Sequence, residues 1–264
     1  ALALPRKYGI VDSSFVNDCF NHLIAVVPLE NEDIWLECTA KHINYYDTPH
    51  SIEGIYALVV KENGGELVKT PVKESVYNKG ISKFTGKCED NDFVFNLEYN
   101  LTGNQKNSIK PALFGGTKIE NTTIVQGILN DNYPNVDVSE FSTDETPDGI
   151  YKLNVKGVIK NYLTKKGKRI FISPPIMNKK TKDNLPKERQ EERKFPIFSN
   201  FPYFDIDSVI VNLPSYLKVE TIPEKVEFSN DIADFCAEYK IIDEQMIYSR
   251  KLNWKKRIIP VENY

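Results

Sequence analysis

Residues 84–103 read FTGKCEDNDFVFNLEYNLTG, and their alternation of side chains favours a β-rich fold. Large apolar residues recur at every second position of this stretch: Phe93, Phe95, Leu97 and Tyr99. Polar residues, including asparagine and glutamate, occupy the positions between them. Because successive side chains of a strand point to opposite faces, this pattern predicts a half-buried strand of an antiparallel sheet.

The chain on both sides of this stretch repeats the same kind of signal. Short apolar runs bounded by turn residues predict further strands at ALAL, FNHLIAVV, DIWLECT, IYALVV, ELVKTP, GIYKLNVKGVIKNYL and RIFISPP, with four or five more in the last third. Gly64 and Gly65 predict a tight hairpin turn within KENGGE. A helix is predicted near residues 116–132, before Pro134. The predicted fold class is α+β, predominantly antiparallel β.

Composition limits the function classes. The 264 residues suffice for one large domain or two ordinary ones. With 34 basic and 37 acidic residues the formal net charge is −3, so nucleic acid is not expected as a partner. The charged run NKKTKDNLPKERQEERKFP contains interleaved acidic residues and is predicted to be a solvated connection.

Cysteine spacing and hydropathy exclude several further classes. The four cysteines lie far apart without a CxxC pair, so no zinc site, other metal or cofactor is predicted. No apolar run approaches the ~20 residues of a membrane span, and no signal peptide is recognised. Since the sequence begins with ALALP rather than Met, we expect it to derive from something longer.

The stretch CFNHLIAVVPLENEDIWLECTA, residues 19–40, holds the candidate site. If its two apolar runs form a hairpin over PLEN, Val27 faces Glu32 and His22 faces Glu37. Directly opposed side chains of one face are about 4.5–5.5 Å apart at Cβ, within reach of an imidazole–carboxylate hydrogen bond. A simple cross-strand contact is one interpretation of this pair.

A catalytic dyad is the other interpretation. A carboxylate that accepts from one ring nitrogen fixes the histidine tautomer and stabilises an imidazolium. The second nitrogen can then take a proton from a thiol.

The same stretch resembles transglutaminase-like proteins of the papain-fold superfamily, in a pattern of the form F-N-H…W-L-(D/E)-x-T. Residues 186–264 are similar to the β-rich C-terminal region, of unknown function, that follows such a core in multidomain bacterial envelope proteins. The resemblance implies that His22 is the base and Glu37 the orienting acid of a Cys-His-Glu triad, with Trp35 packed beside them. It also implies a periplasmic or cell-envelope location.

The nucleophile is the member of the triad that the sequence does not match. In the family that this chain resembles, the cysteine begins a helix upstream of the strand similar to ALALP, and so it would lie before Ala1. Cys19 and Cys38 are predicted to face away from His22, and Cys88 and Cys236 belong to the β-rich region. We therefore expect no acyl hydrolysis or transfer by this chain alone.

Three further motifs have ordinary structural explanations. His42 and His50 flank Asp47 at a spacing unsuited to a metal, which predicts a surface loop with aromatic packing. FGGTK, residues 114–118, lacks the phosphate-loop frame and predicts a turn before a helix. An aromatic cluster is predicted to serve core or inter-domain packing rather than ligand binding: Phe195, Phe198, Phe201, Tyr203 and Phe204.

The sequence thus predicts two parts. Residues 1–72 form the C-terminal portion of a transglutaminase-like core, and residues 73–264 form a β-sandwich-like domain with the helical insertion. The function predicted from the resemblance is that of an incomplete thiol acyltransferase or protease acting on protein or peptide. The alternative is a non-catalytic envelope module that binds protein or glycan. Uncovered apolar side chains around His22, Ile24 and Trp35 predict self-association, or a disordered N-terminus, through residues 1–40.

Overall fold

The computed structural model describes residues 1–9, 11–14, 18–30, 32–45, 47–179 and 194–261. The strands, in chain order, are β1 (Leu2–Ala3), β2 (His22–Leu23), β3 (Ala25–Val27), β4 (Ile34–Leu36), β5 (Tyr56–Lys61), β6 (Gly64–Lys69), β7 (Lys79–Glu89), β8 (Asp92–Leu101), β9 (Val136–Glu145), β10 (Tyr151–Ile159), β11 (Thr164–Lys166), β12 (Arg169–Phe171), β13 (Ile197–Phe198), β14 (Tyr203–Asn212), β15 (Val226–Ser229), β16 (Ala233–Ile242), β17 (Gln245–Trp254) and β18 (Ile258–Ile259). The helices are α1 (Gly103–Leu113) and α2 (Lys118–Asn130).

An eight-stranded sheet forms the larger part of the molecule, in the order β15-β16-β17-β14-β7-β8-β10-β9. Six of the seven neighbouring strand pairs in this sheet are antiparallel, and the remaining pair, β7 with β14, is parallel. The predominantly antiparallel β fold predicted from the sequence is confirmed. The parallel pair joins two antiparallel halves that are far apart in the chain.

One face of this sheet carries the main core. The β8 side chains predicted to share a face are all buried: Phe93, Phe95, Leu97 and Tyr99. They pack with side chains of β7, β10, β14 and β17, and the core is closed by Leu113, Val125 and Leu129 of the two helices. A β-sandwich-like domain was predicted here. The described residues instead form a single large sheet covered by helices and by the small β11–β12 hairpin, so that prediction is wrong.

The predicted helix near residues 116–132 corresponds to α2. Thr117 caps it by accepting from Glu120 N, while the Glu120 side chain accepts from Thr117 N, a reciprocal capping box. FGGTK is therefore a turn before a helix, as predicted. Helix α1 was not predicted, because its buried first turn consists of Asn104, Gln105 and Lys106 rather than apolar residues.

The N-terminal residues form a four-stranded sheet, β2-β1-β5-β6, and the separate β3–β4 hairpin. Ile24 and Trp35, predicted to be uncovered, are buried in a small core with Ala3, Ile52 and Ala57. That prediction is wrong, since Ala3 of β1, Ala57 of β5 and the preceding Ile52 supply the cover. The reason for expecting self-association through these side chains is thereby removed.

One further local prediction needs correction, and another concerns residues that the structure does not describe. The β5–β6 hairpin turns at Glu62 and Asn63, because Lys61 already pairs with Gly64, so Gly65 is a strand residue. Most of the charged run, residues 180–193, lies outside the described residues. The predicted boundary at residue 72 falls between β6 and β7, and it stays a prediction.

Candidate functional site

The β3–β4 hairpin positions the predicted pair, although with a register different from the predicted one. Val27 faces Ile34 rather than Glu32, and Val26 faces Trp35. Extended to His22, this register places Thr39 opposite it, so Glu37 is a diagonal neighbour. A shift of two residues preserves the face of every side chain, which is why His22 and Glu37 still lie on one face.

The structure joins the two side chains directly. Nε2 of His22 lies 2.7 Å from Oε2 of Glu37. His22 also belongs to β2, where it pairs with Ala3 of β1. The backbone of His22 is thus fixed by strand pairing, and its imidazole is held by a carboxylate.

Thr39 completes the surroundings of the acid, and sequence reasoning did not single it out. Its backbone N–H donates to Glu37 Oε1 at 2.7 Å, and its hydroxyl donates to the same oxygen. An acidic residue followed two positions later by threonine can form such a local turn, which is the signal that the sequence contained. Both carboxylate oxygens of Glu37 are therefore occupied.

Burial and hydrogen bonding act on Glu37 in opposite directions. Its side chain is 5% exposed, and this burial would raise its pKa. The hydrogen bonds from Thr39 and His22 favour the charged form more strongly, so the pKa of Glu37 lies below its ordinary value. A charged carboxylate beside the ring is what would stabilise an imidazolium.

His22 remains accessible while its partner is covered. Its side chain is 23% exposed. The hydrogen bond to Glu37 uses Nε2, so Nδ1 is the nitrogen that could exchange a proton with a third group.

The four cysteines do not complete this arrangement. No hydrogen bond joins a cysteine to His22 among the residues that the structure describes. Cys38 is exposed, and its Sγ lies 3.7 Å from the Leu36 carbonyl oxygen. Cys88 is a core residue whose burial raises its pKa to about 11, which disfavours the reactive thiolate. Cys236 Sγ lies 3.7 Å from Oε1 of Glu227.

Part of the predicted surface loop around Asp47 is buried. His42 packs on Phe114 with ring centroids 3.9 Å apart, so the predicted aromatic packing is present. Asp47 is buried, contrary to the prediction, because it forms an ion pair of 2.8 Å with Lys106. No group of three or more histidine, cysteine or acidic residues suited to a metal occurs in the described part of the chain.

The aromatic cluster meets the N-terminal part of the molecule. Arg6 lies over the Phe198 ring at 5.7 Å, and the Phe201 and His50 ring centroids are 5.8 Å apart. Tyr203 stacks on Trp254 of the neighbouring strand β17. The first two contacts join the two predicted parts, whereas Phe195 of the same cluster is exposed rather than packed.

A buried polar network at the centre of the sheet was missed by sequence reasoning. Arg250 pairs with Asp207 at 2.7 Å, and Asp205 accepts from Gln105 and Asn178. Burial raises the pKa of Asp205 to about 6, against the opposing effect of the hydrogen bond from Gln105 and the charge of Arg250. The signal was the two aspartates at alternate positions of a strand, in phase with its buried residues.

This network borders a small cavity of about 200 Å³, with Ser199, Asn200, Phe201 and Tyr203 forming the rest of its lining. A larger groove of about 800 Å³ lies against β12 and β16. Neither is lined by His22 or Glu37, so the candidate dyad lies outside both.

Comparison with known families concerns the C-terminal part alone. Residues 168–264 match the sequence model of a family described as a domain of unknown function, DUF3858. Neither a curated protein nor a solved structure matches the chain. The match agrees with the predicted C-terminal domain of unknown function and leaves His22 and Glu37 outside its range. In the described residues no helix is both long and apolar enough to cross a membrane.

Proposed function

We propose that His22 and Glu37 are the base and the orienting acid of a cysteine-dependent acyl-transfer site of the transglutaminase-like kind. The observation that supports this is the 2.7 Å contact between an accessible imidazole and a buried carboxylate. A structural cross-strand pair needs no third group to fix the acid. Here Thr39 holds the oxygen of Glu37 that His22 does not use.

The chemistry assigns one step to each group. A cysteine thiol gives its proton to Nδ1 of His22, and the thiolate attacks the acyl carbon of an amide. The imidazolium, stabilised by Glu37, returns that proton to the departing amine as the acyl–sulfur bond forms. Water or a second amine then takes the acyl group and regenerates the thiol. Water gives proteolysis, and an amine gives cross-linking or acyl transfer.

The proposal requires a cysteine from outside residues 1–264, because none of the four cysteines bonds to His22 in the described part of the structure. A protein or peptide in the periplasm or cell envelope is the proposed substrate. Both the substrate and the location rest on the resemblance of residues 19–40 to the transglutaminase-like family.

The test uses the longest polypeptide that the natural reading frame encodes. Labelling with iodoacetamide at pH 7 should find one cysteine that reacts at least tenfold faster than the others, at a position before residue 1. His22→Ala should remove this difference, and Glu37→Gln should reduce it. A matched control is His42→Ala, which removes a histidine outside the dyad.

A longer polypeptide without a fast-reacting cysteine would contradict the proposal. It would favour the alternative of a non-catalytic envelope module that binds protein or glycan. The observation that favours this alternative is the open groove in the C-terminal part, which the dyad does not use.

A further inference from the structure

An open groove in the C-terminal part has two walls and a floor. One wall is residues 168–173, which include β12, and the other is the connection 213–223 that follows β14. The floor consists of Tyr239, Ile241 and Met246 from β16 and β17. We call this the hairpin groove. It belongs to the core face of the large sheet, since its floor side chains pack with the main core.

The groove has the size and lining of a small-molecule site. Its volume is about 800 Å³, within the range of about 300–1,000 Å³ that is usual for ligand pockets. Apart from four charged residues, Ser173, Thr221 and two tyrosines, every lining side chain is apolar. A ligand that fills it therefore needs a long apolar part and few hydrogen-bonding groups, because buried polar groups without partners are costly.

The charges at the groove favour an anion. The lining contains Lys168, Arg169 and Lys218 but a single acidic residue, Glu220, which gives a net charge of +2. Arg169 and Glu220 neutralise each other through two hydrogen bonds of 2.8 and 2.7 Å, and this bridge ties the two walls together. Lys168 and Lys218 have no carboxylate partner within the described ranges.

The neighbouring strand strengthens this field. Lys165 and Lys166 of β11 are both exposed and precede the turn at Gly167. Four of the five residues 165–169 are thus basic. An anionic group at the mouth of the groove would meet cations from both walls.

We propose that the hairpin groove binds a single-chain amphiphile with a carboxylate head, of the long-chain fatty acid class. The alkyl chain lies along Ile170, Ile172 and Ile241, and the carboxylate lies between Lys168 and Lys218. An alkyl chain suits this lining better than an acidic peptide, whose backbone amides would find few partners beside the apolar floor. The proposal does not depend on the dyad at His22.

The test is fluorescence of 11-(dansylamino)undecanoate with the 264-residue chain. Binding should increase and blue-shift the dansyl emission, and dodecanoate should reverse both changes. Affinity should rise from octanoate to dodecanoate, up to roughly fourfold for each methylene that is fully buried. The methyl ester of dodecanoic acid should bind at least tenfold more weakly than dodecanoate.

Three variants separate the charge from the apolar wall. Lys168→Glu with Lys218→Glu should weaken dodecanoate binding at least tenfold and reduce its dependence on salt. Phe171→Ser, at an exposed lining position, should weaken it severalfold. Lys83→Glu, at an exposed site on β7, is the matched control and should leave binding unchanged. Circular dichroism melting curves verify that each variant is folded.

Several results would overturn the proposal. One is the absence of a fluorescence change with the folded wild-type chain. Another is equal affinity for dodecanoate and its methyl ester, or for the double lysine variant and wild type. Tighter binding of an acidic peptide than of dodecanoate would instead assign the groove to a protein partner.

Discussion

Glu37 shows how a few hydrogen bonds can keep a buried carboxylate charged. Its pKa is lowered although burial acts to raise it, because Thr39 and His22 occupy both of its oxygens. This contribution to stability is present above the pKa of the unfolded carboxyl and is lost as pH falls through the lower folded value. The charged state of the pair therefore depends on Thr39 as much as on His22.

We expect Thr39→Val to raise the pKa of Glu37, since it removes the hydroxyl donor and keeps the backbone donor. The free energy of unfolding at pH 7 should fall by about 1 kcal/mol. Carboxyl-carbon NMR titration and urea denaturation measure the two effects. Thr39→Ser keeps the hydroxyl and should resemble wild type. An unchanged Glu37 pKa in Thr39→Val would mean that the threonine hydroxyl does not hold the acid.

Glu53 presents the opposite case. Burial raises its pKa to about 7, although Arg257 and the hydrogen bond from Asn104 favour its charged form. An acid with a raised folded pKa binds more protons when folded, so its contribution to stability falls as pH rises from about 4.5 to 7. Glu53 thus opposes folding at neutral and alkaline pH.

The difference in unfolding free energy between Glu53→Gln and wild type should therefore depend on pH. Between pH 4.5 and pH 8 the difference should move in favour of the variant by about 3 kcal/mol. Urea denaturation at a series of pH values measures it. Glu140→Gln, on exposed strand β9, is the control and should show a nearly constant difference. A constant difference for Glu53→Gln as well would show that Glu53 is already charged at pH 5.

At the scale of elements, the periodicity of apolar residues predicted the strands and the helix whose buried faces are apolar. Alternation predicted the buried face of β8, and the stretch that ends before Pro134 predicted α2. Apolar periodicity could not predict the start of α1, because its buried residues Asn104 and Lys106 are polar and are held by a hydrogen bond and an ion pair. The predicted hairpin register was off by two residues, because alternation fixes the face of a side chain and not its partner. The contact of His22 with Glu37 survived this error for the same reason.

The entry to α1 depends on Gly103. Its φ is +53°, and a Cβ there would lie 2.4 Å from Oδ1 of Asn78 and 2.7 Å from the Tyr77 carbonyl oxygen. We expect Gly103→Ala to destabilise the protein by about 2 kcal/mol or more. Gly127→Ala in α2, where a Cβ meets nothing within 4 Å, should stabilise by about 0.5–1 kcal/mol. Urea denaturation compares them, and equal effects of the two changes would refute this role of Gly103.

At the scale of the whole molecule, buried polar groups connect the two predicted parts. Asp47 pairs with Lys106, Asn104 receives the backbone N–H of His50, and Arg257 donates to the Glu53 carbonyl oxygen. The sequence alone could not identify these partners. His50 and Asn104 are 54 residues apart in the chain, and Glu53 and Arg257 are 204 residues apart. Polar groups in such positions are costly when one partner is removed, so they tie the parts together in one arrangement.

Lys106→Met should destabilise the protein by about 3–5 kcal/mol, because it leaves the buried carboxylate of Asp47 without its cation. The double variant with Asp47→Leu should recover part of that loss. Lys156→Met breaks an exposed pair with Glu140 and should cost at most about 1 kcal/mol. Urea denaturation gives all three values. A small loss in Lys106→Met would show that the buried pair of Lys106 with Asp47 contributes little to stability.

The parallel pairing of β7 with β14 has a consequence for the segment that the family match covers. The family match begins at residue 168, so it takes in β14 and leaves β7 out. A module exchanged between proteins at that point would arrive with a ten-residue strand open along one edge. The matched segment thus contains only part of the sheet to which β14 belongs. A host that kept the pairing seen here would have to donate a strand running in the same direction as β14.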